Sequence, residues 1–214
     1  GKPEDSAAAL RRLVAESPDG PRSHRAEYDL ARIEIKNGDE ERGFGMLYEV
    51  LRKHPNHGLA ERALRELVQR EEDVRGPAAA VSWLKTATAT FQGTELEELI
   101  AYLLAQGLDT TGDLEGAHAA FVALAEAHPY PYGGFTDDAW WHAAAIARKL
   151  GRYELAANDL RRMLAPHEVS TLNGSYERPR FAVSQIELAE ILRDHLNDRG
   201  GARRELHKVY TLHP

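Results

Sequence analysis

The sequence predicts an all-α fold, a right-handed α-solenoid of antiparallel helical hairpins, from two observations. First, a small residue followed four positions later by a bulky one recurs at a constant spacing, with the small residue at Gly43, Ala80 and Ala117, each 37 residues after the last. Steps of four and three residues place side chains on one face of an α-helix. Second, copies end at a turn residue such as Pro55 or Pro129. A unit of this length cannot bury its apolar face alone, so the copies are expected to stack.

The same pattern can be followed from one end of the chain to the other. Its bulky residue is Leu10, Leu47, Leu84, Phe121, Leu160 and Leu206 in turn. The last two steps are longer, so insertions are expected near residues 128–138 and 166–180. We therefore expect a single array with a half repeat at residues 5–17 and hairpins at 23–54, 58–91, 94–128, 136–165 and 180–212. Because the first copy is a second helix without its partner, the chain is expected to be a fragment of a longer protein.

These repeats resemble the tetratricopeptide (TPR) family over nearly the whole chain. The turn motifs between paired helices are NGD at 37–39, TGD at 111–113 and LGRYELA at 150–156. Two features depart from the family pattern: Gln92 replaces a closing proline, and the period exceeds the usual 34 or so residues. Trp140 alone occupies the family's aromatic position in a first helix, so the resemblance implies that it packs between hairpins. The residues that match the repeat's small position are Gly43, Ala80, Ala117, Ala156 and Ala202.

Composition limits the classes of function. Of the 214 residues, 43% are hydrophobic and 29% are charged, which is typical of a folded protein. The net charge of −7 and the lack of a long basic cluster argue against nucleic-acid binding. No apolar run approaches the roughly 20 residues of a membrane span. The absence of cysteine excludes disulfides and thiolate metal sites.

The sequence carries no recognisable motif for catalysis, cofactor binding or metal binding. The sequence has no GxSxG motif and no phosphate-binding loop. His54 and His57 are interpreted as turn residues, because Pro55 separates them. Asp137 and Asp138 are interpreted as the start of a helix, where acidic side chains favour the dipole. We therefore expect no enzyme activity, no cofactor and no metal.

The resemblance implies that function lies on the first helices of the hairpins, which line the concave groove of a TPR solenoid. Arginine pairs bidentately with carboxylates, so a protein or peptide of acidic character is the expected partner. The alternative is that the arginines only form surface ion pairs with Glu27, Glu61 and Glu66. The expected partner-binding residues are Arg25, Tyr28, Arg32, Arg62, Arg65, Gln69, Tyr102, Gln106, Trp141 and Arg148.

Aromatic residues crowd the first insertion and the helix after it. Trp141 points about 100° away from Trp140 on a helix, so it is the better partner contact. Tyr130 and Tyr132 are expected to pin their own loop. Another hypothesis is an enzyme or small-ligand-binding protein whose site lies in the insertions at 128–138 and 166–180. A third is dimerisation through an exposed terminal helix.

A narrower resemblance concerns location. The DDAWW motif at 137–141, the long insertions and the HP endings are similar to bacterial TPR lipoproteins and periplasmic coordinators of outer-membrane assembly. This resemblance favours a periplasmic or outer-membrane-associated location over a cytoplasmic one. The sequence leaves the partner's identity and the oligomeric state open.

Overall fold

A computed structural model of the chain describes residues 3–18, 20, 22–165 and 179–212. Over these residues it contains eleven α-helices and no strand, so the expected all-α architecture is confirmed. None of the helices in this part of the chain combines the length and apolarity needed to cross a bilayer. The helices are α1 (Pro3–Glu16), α2 (Ser23–Lys36), α3 (Glu40–Lys53), α4 (Ala60–Arg75), α5 (Pro77–Thr90), α6 (Glu97–Thr110), α7 (Leu114–Ala127), α8 (Thr136–Lys149), α9 (Tyr153–Leu164), α10 (Pro179–Asp194) and α11 (Arg199–Leu212).

The chain divides into two compact units, residues 1–100 and residues 101–214. In the first unit α1 packs on α2, α2 pairs with α3, α4 packs on α3, and α4 pairs with α5. In the second unit α7 packs on α8, α8 pairs with α9, α10 packs on α9, and α10 pairs with α11. Each hairpin thus covers the second helix of the one before it within its unit. The single array over residues 1–214 stays a prediction.

Glycine makes the tight reversals within the hairpins. Gly38, between α2 and α3, has φ of 93°, and Gly151, between α8 and α9, has φ of 71°. A side chain is strained in this left-handed region, so glycine ends the first helix where the chain turns back. Asn37, the residue before Gly38, has a right-handed φ of −80°. Gly38 alone makes the reversal in this described turn.

Aspartate begins several of the second helices. Asp39 accepts a hydrogen bond from the backbone N–H of Arg42, and Asp113 accepts one from Gly116. These bonds satisfy amide groups that have no partner within the helix. The start of α8 differs from these two. Phe135 is the residue before the helix, and its side chain makes no capping hydrogen bond.

The recurring small and bulky residues form the contact between neighbouring helices. A Cβ atom at Gly43 would lie 2.5 Å from Ile35 Cγ1 and 2.8 Å from the Ala31 carbonyl oxygen, so only glycine fits there. The bulky residues Leu47, Leu84, Phe121 and Leu160 are 0% exposed. Leu206 holds the same repeat position in α11 but is 39% exposed. No described helix packs over that face of α11.

A buried polar pair joins the second helices α7 and α9. His118 Nε2 and Asp159 Oδ2 are 2.9 Å apart, and Asp159 is only 2% exposed. Burial raises the pKa of Asp159, and the hydrogen bond with His118 partly offsets that effect. The pair satisfies a carboxyl group that would otherwise be costly to bury between apolar helices.

Candidate partner-binding surfaces

In the first unit, two expected groove residues bind one glutamate of α4. Buried Tyr28 donates its hydroxyl to Glu66 Oε1 at 2.5 Å. Arg32 Nη1 donates to the same carboxylate oxygen at 2.7 Å and to the Tyr28 hydroxyl at 3.2 Å. Burial and the Glu66 hydrogen bond raise the pKa of Tyr28, so its hydroxyl keeps its proton. Tyr28 and Arg32 therefore fasten the first helices of two successive hairpins together.

Three other arginines on these helices differ in their partners. Arg62 places its guanidinium 5.7 Å from the centre of the Tyr28 ring. Arg25 pairs loosely with Asp29, at 3.6 Å. Arg62 and Arg65 are exposed and have no carboxylate partner among the described residues. Of the expected pairs with Glu27, Glu61 and Glu66, the structure shows the one between Arg32 and Glu66. Arg25 pairs with Asp29 instead, and Arg62 and Arg65 leave positive charge on this surface.

Gln69 borders a groove of about 550 Å³ in the same unit. Its amide donates to Asp73 at 3.0 Å. In the same groove Arg70 of α4 stacks over Phe44 of α3, with 4.8 Å between the guanidinium carbon and the ring centre. Buried Arg70 Nε has no hydrogen-bond partner in the described structure. Sequence periodicity did not single out Phe44 or Arg70, because both lie off the apolar stripe that defines the repeat.

In the second unit the expected contact residue Tyr102 is largely engaged by its own chain. Its ring stacks on Phe135 with centres 4.5 Å apart, and it meets Phe121 edge-on. Its hydroxyl lies 3.3 Å from His142 Nε2. Burial lowers the pKa of His142, which favours the neutral imidazole. Tyr102 of α6 therefore anchors the 128–135 loop through its contact with Phe135.

Trp141 and Arg148 are also partly covered. Arg180 of α10 lies over the Trp141 ring at 4.8 Å and forms an ion pair with Asp138. Arg148 Nη1 is 3.8 Å from Glu187 Oε2. Trp141 remains half-buried, so an edge of the indole faces solvent. The role of these residues, and of Gln106 on α6, in partner binding stays a prediction.

Hydrogen bonds to backbone carbonyl groups hold the 128–135 loop. The Thr136 hydroxyl donates to the His128 carbonyl at 2.5 Å, and the Gly133 N–H donates to the Pro129 carbonyl at 3.2 Å. The expectation that Tyr132 pins the loop is wrong, because this side chain is 91% exposed. Tyr130 is 36% exposed. The second insertion, residues 166–178, lies outside the described residues.

Trp140 is 7% exposed, in keeping with the expected packing role. Arg162 lies 4.9 Å from its ring centre and pairs with Glu126 at 2.6 Å. Beside Trp140 is a pocket of about 300 Å³, bounded by the loop and by the ends of α7, α8, α9 and α10. The first insertion thus forms one wall of a cavity.

Three histidines meet at the base of the first hairpin. The rings of His24 and His54 stack at 3.6 Å, and His57 meets His24 edge-on. His54 Nε2 also lies 3.2 Å from a Glu27 oxygen, a partner that local spacing did not reveal. In the part of the chain that the structure describes, no group of three or more His, Cys, Asp or Glu has the arrangement needed to hold a metal.

The repeat geometry agrees with comparison to known families. The tetratricopeptide-repeat family model matches residues 1–58 and 102–168, more than half of the chain. The chain belongs to the tetratricopeptide-repeat family. The TPR resemblance and the fold class expected from the sequence are thereby confirmed. A TPR repeat scaffold fits a role in protein interaction.

Solved structures show the same TPR fold. BtubC (BKLC) from P. vanneervenii is 15% identical with a TM-score of 0.64, and the match covers 98% of this chain and 87% of that one. YrrB, described as a TPR protein with an unusual peptide-binding site, is 13% identical with a TM-score of 0.54 over 97% and 94%. The TPR-like repeats of a putative kinesin light chain from Podosopora anserina are 19% identical with a TM-score of 0.54 over 91% and 96%. At these identities the likeness concerns the fold. No curated protein matches the chain significantly.

Proposed function

We propose that this chain is a non-catalytic TPR scaffold that binds a protein or peptide of acidic character along the first helices of its hairpins. The observation that carries the proposal is the pair Arg62 and Arg65 on α4. Both are exposed, and neither has a carboxylate partner among the described residues. A guanidinium without an intramolecular carboxylate can form a bidentate bond with a carboxylate of a binding partner.

The groove next to these arginines supports the same chemistry. Buried Arg70 Nε lacks a hydrogen-bond acceptor in the described structure. The Arg70 side chain as a whole is 26% exposed and lines the groove, so it adds a cationic group to the same surface. Phe44 and Ile35 add apolar surface to the same groove. A neighbour of the same fold, YrrB, is described as having a peptide-binding site.

The second unit is proposed to contribute the solvent-facing parts of Tyr102, Gln106, Trp141 and Arg148. Aromatic and arginine side chains are the residues that dominate binding energy at protein interfaces. The half-buried indole of Trp141, with Arg180 over one face, is already fixed in position. A fixed aromatic ring loses little conformational entropy on binding.

Location in the bacterial cell envelope is part of the proposal. It is supported by the DDAWW motif and the insertions, which resemble those of periplasmic TPR proteins. Fractionation of the native host into cytoplasm, periplasm and membranes, followed by immunoblotting, tests it. Recovery in the cytoplasm would contradict this part.

The binding surface is tested with the double reversal Arg62→Glu/Arg65→Glu. Binding of short Glu-rich peptides, measured by fluorescence anisotropy, should weaken by about tenfold or more, because two attractive charges become repulsive. Lys-rich and uncharged peptides serve as probes of specificity. Arg32 is left intact, since its reversal would place a glutamate beside Glu66.

The matched control is Arg203→Glu/Arg204→Glu, which makes the same charge change on the second helix α11. Both arginines are exposed, and neither has a carboxylate partner among the described residues. This control should retain most of the affinity. Equal losses in the two double variants would show a non-specific charge effect, and unchanged binding in Arg62→Glu/Arg65→Glu would overturn the proposed surface.

A further inference from the structure

Helix α11 of the second unit carries a concentration of positive charge that the proposed function does not use. Its exposed arginines are Arg199, Arg203 and Arg204. Among the described residues none of the three has a carboxylate partner. The whole chain has a net charge of −7, so these guanidinium groups, within two turns of one helix, reverse the charge locally.

The carboxylates of the same hairpin are engaged elsewhere. The side chain of Glu205 is only 12% exposed and binds Lys208 at 2.7 Å. Asp198 accepts a hydrogen bond at 2.7 Å from a backbone N–H in the first turn of α11. The carboxylates of α10 lie near other arginines, Asp194 and Glu190 near Arg193 and Glu187 near Arg148. The positive charge of α11 is therefore not neutralised by ion pairs within the described hairpin.

Apolar side chains are exposed beside these arginines. Steps of three and four residues place Arg203, Leu206 and Tyr210 on one face of α11. Leu206 is 39% exposed and Tyr210 is 82% exposed. The exposed half of the helix therefore combines positive charge with one aliphatic and one aromatic side chain.

Arg203 occupies a repeat position that is buried in the preceding second helix. Its counterpart in α9 is Ala157, which follows the small residue Ala156 and is 0% exposed. Ala157 belongs to an apolar cluster with Leu188 and Leu192 of α10. A hairpin packed on α11 in the same way would bury the Arg203 guanidinium without a counter-ion, which is costly. The surface that meets α11 must therefore bring negative charge.

This combination of groups matches the surface of an anionic membrane. A basic helix face with exposed apolar side chains is typical of helices that lie in the plane of a lipid interface. Lipid phosphate groups attract arginine, and tyrosine is enriched at the level of the headgroups. Tyr210 projects from the helix, a geometry that suits insertion into a deformable surface better than docking in a groove.

We propose that α11 docks this protein on the surface of an anionic lipid bilayer. Arg199, Arg203 and Arg204 face the lipid phosphates, and Leu206 and Tyr210 enter the interface. Each basic residue near such a surface raises the affinity about fivefold, so the contact is moderate in strength and weakened by salt. The inference does not rest on the proposed function, because it concerns a second helix and leaves the first-helix surface unused.

Co-sedimentation with vesicles tests the charge. Wild-type protein should bind vesicles with about 30% phosphatidylglycerol in phosphatidylcholine at least tenfold more strongly than pure phosphatidylcholine. Arg203→Glu/Arg204→Glu should lower the partition coefficient on anionic vesicles by about tenfold or more. The matched control Arg62→Glu/Arg65→Glu makes the same charge change in the first unit and should retain most of the binding. Absence of wild-type binding, or equal losses in the two variants, would overturn the assignment to α11.

A second set of variants tests the apolar side chains at constant charge. Leu206→Ser/Tyr210→Ser should lower the partition coefficient by about threefold or more, because less apolar surface enters the interface. The control Val74→Ser/Tyr132→Ser removes an aliphatic and an aromatic side chain that are 64% and 91% exposed elsewhere. It should bind as wild type does, and circular dichroism checks that both variants fold. Wild-type partitioning of Leu206→Ser/Tyr210→Ser would contradict insertion of this face.

The chain contains no cysteine, so one introduced thiol can report the polarity around α11. Thr211→Cys carries a polarity-sensitive dye next to Tyr210, and Thr110→Cys carries the same dye at the end of α6. Both threonines are exposed, and each bonds to the carbonyl four residues earlier. With anionic vesicles the emission from position 211 should rise and shift to the blue, whereas position 110 should not respond. Unchanged emission at position 211 while the protein binds vesicles would contradict docking through α11.

A soluble acidic partner would give a different result. If Glu-rich peptides change the emission at position 211 and vesicles do not, α11 binds an acidic polypeptide and the membrane proposal is wrong. The proposed function is tested separately, because Arg62→Glu/Arg65→Glu should lose Glu-rich peptides and keep vesicles. Loss of vesicle binding in that variant but not in Arg203→Glu/Arg204→Glu would move the membrane contact to α4.

Discussion

At the scale of single residues, the position of the bulky residue in the repeat shows that its burial depends on the helix that follows. Phe121 and Leu160 are completely buried, and Leu206 is 39% exposed. We expect Phe121→Ala or Leu160→Ala to lower the free energy of unfolding by about 2–5 kcal/mol, through lost contacts and a cavity. Urea denaturation followed by circular dichroism measures the loss.

Leu206→Ala is the matched control for these substitutions. It removes the same side chain as Leu160→Ala from the same repeat position, but the site is already open to solvent. We expect a loss of about 1 kcal/mol or less, as for surface substitutions. Losses of that size at Phe121 and Leu160 as well would mean that the packed face has been assigned wrongly.

A second residue-scale prediction concerns pH. Burial raises the pKa of Asp159 above its ordinary value of 3.8, so the folded state keeps this proton to higher pH than the unfolded chain does. Its contribution to stability is full below that ordinary value and is lost as pH rises through the raised folded pKa. The difference in unfolding free energy between wild type and Asp159→Asn should therefore fall as pH increases from about 4 towards neutrality. A difference that grows with pH over this range would contradict the direction of the shift.

Residue-level prediction from sequence succeeded where one local pattern determined the outcome. The buried leucines follow from helical periodicity, because steps of four and three residues select one face. The partners of the polar side chains cannot be predicted from that periodicity. Tyr28 meets Glu66 across 38 positions, and Tyr102 stacks on Phe135 of a loop. Such contacts depend on how successive hairpins are registered, and periodicity within one helix contains no information on that.

At the scale of elements, α5 is the helix with the least local support. It lacks acidic residues in its first turn and basic residues in its last turn. Ser82, Thr86, Thr88 and Thr90 turn their hydroxyls back to carbonyls four residues earlier. Such bonds, together with the stiff β-branched side chains, weaken a helix. We therefore expect α5 to exchange its amide hydrogens faster than α3 or α4.

Replacing three of these residues should strengthen α5. Thr86→Ala/Thr88→Ala/Thr90→Ala should raise the free energy of unfolding by about 1 kcal/mol in total, because alanine has the higher helix propensity. Thermal denaturation measures the gain. Thr94→Ala is the opposite control, since the Thr94 hydroxyl joins Phe91 and Leu96 in the turn after α5 and its loss should destabilise. No gain in the triple variant would show that tertiary contacts outweigh propensity in this helix.

Helix order was predictable from sequence, and helix ends were less so. The predicted first hairpin at 23–54 and the observed α2 and α3, which end at Lys53, differ by one residue. At the start of α8, Thr136 uses its hydroxyl on the His128 carbonyl. That bond exists only because the insertion folds back on itself, which composition did not show.

At the scale of the whole molecule, an acidic chain carries a local basic surface. The net charge is −7, and yet Arg62 and Arg65 have no carboxylate partner among the described residues. Capture of Glu-rich peptides should therefore weaken by about tenfold between 50 and 300 mM salt, as screening shortens the range of attraction. Surface plasmon resonance should show most of the change in the association rate. Affinity independent of salt would favour an apolar contact as the main source of binding.

The bond between Tyr28 and Glu66 has a consequence for how such a chain can evolve. Repeat proteins lengthen or shorten when a coding segment is duplicated or lost. Apolar contacts that are common to all units are preserved when one unit is placed next to another. The hydrogen bond of the Tyr28 hydroxyl is not, because one repeat later its position is occupied by Arg65. A chain with its hairpins in another order would keep its leucines packed. The buried hydroxyl of Tyr28 would then lack the Glu66 carboxylate as its hydrogen-bond acceptor. The hydrogen bond between Tyr28 and Glu66 thus favours one order of the neighbouring hairpins over others.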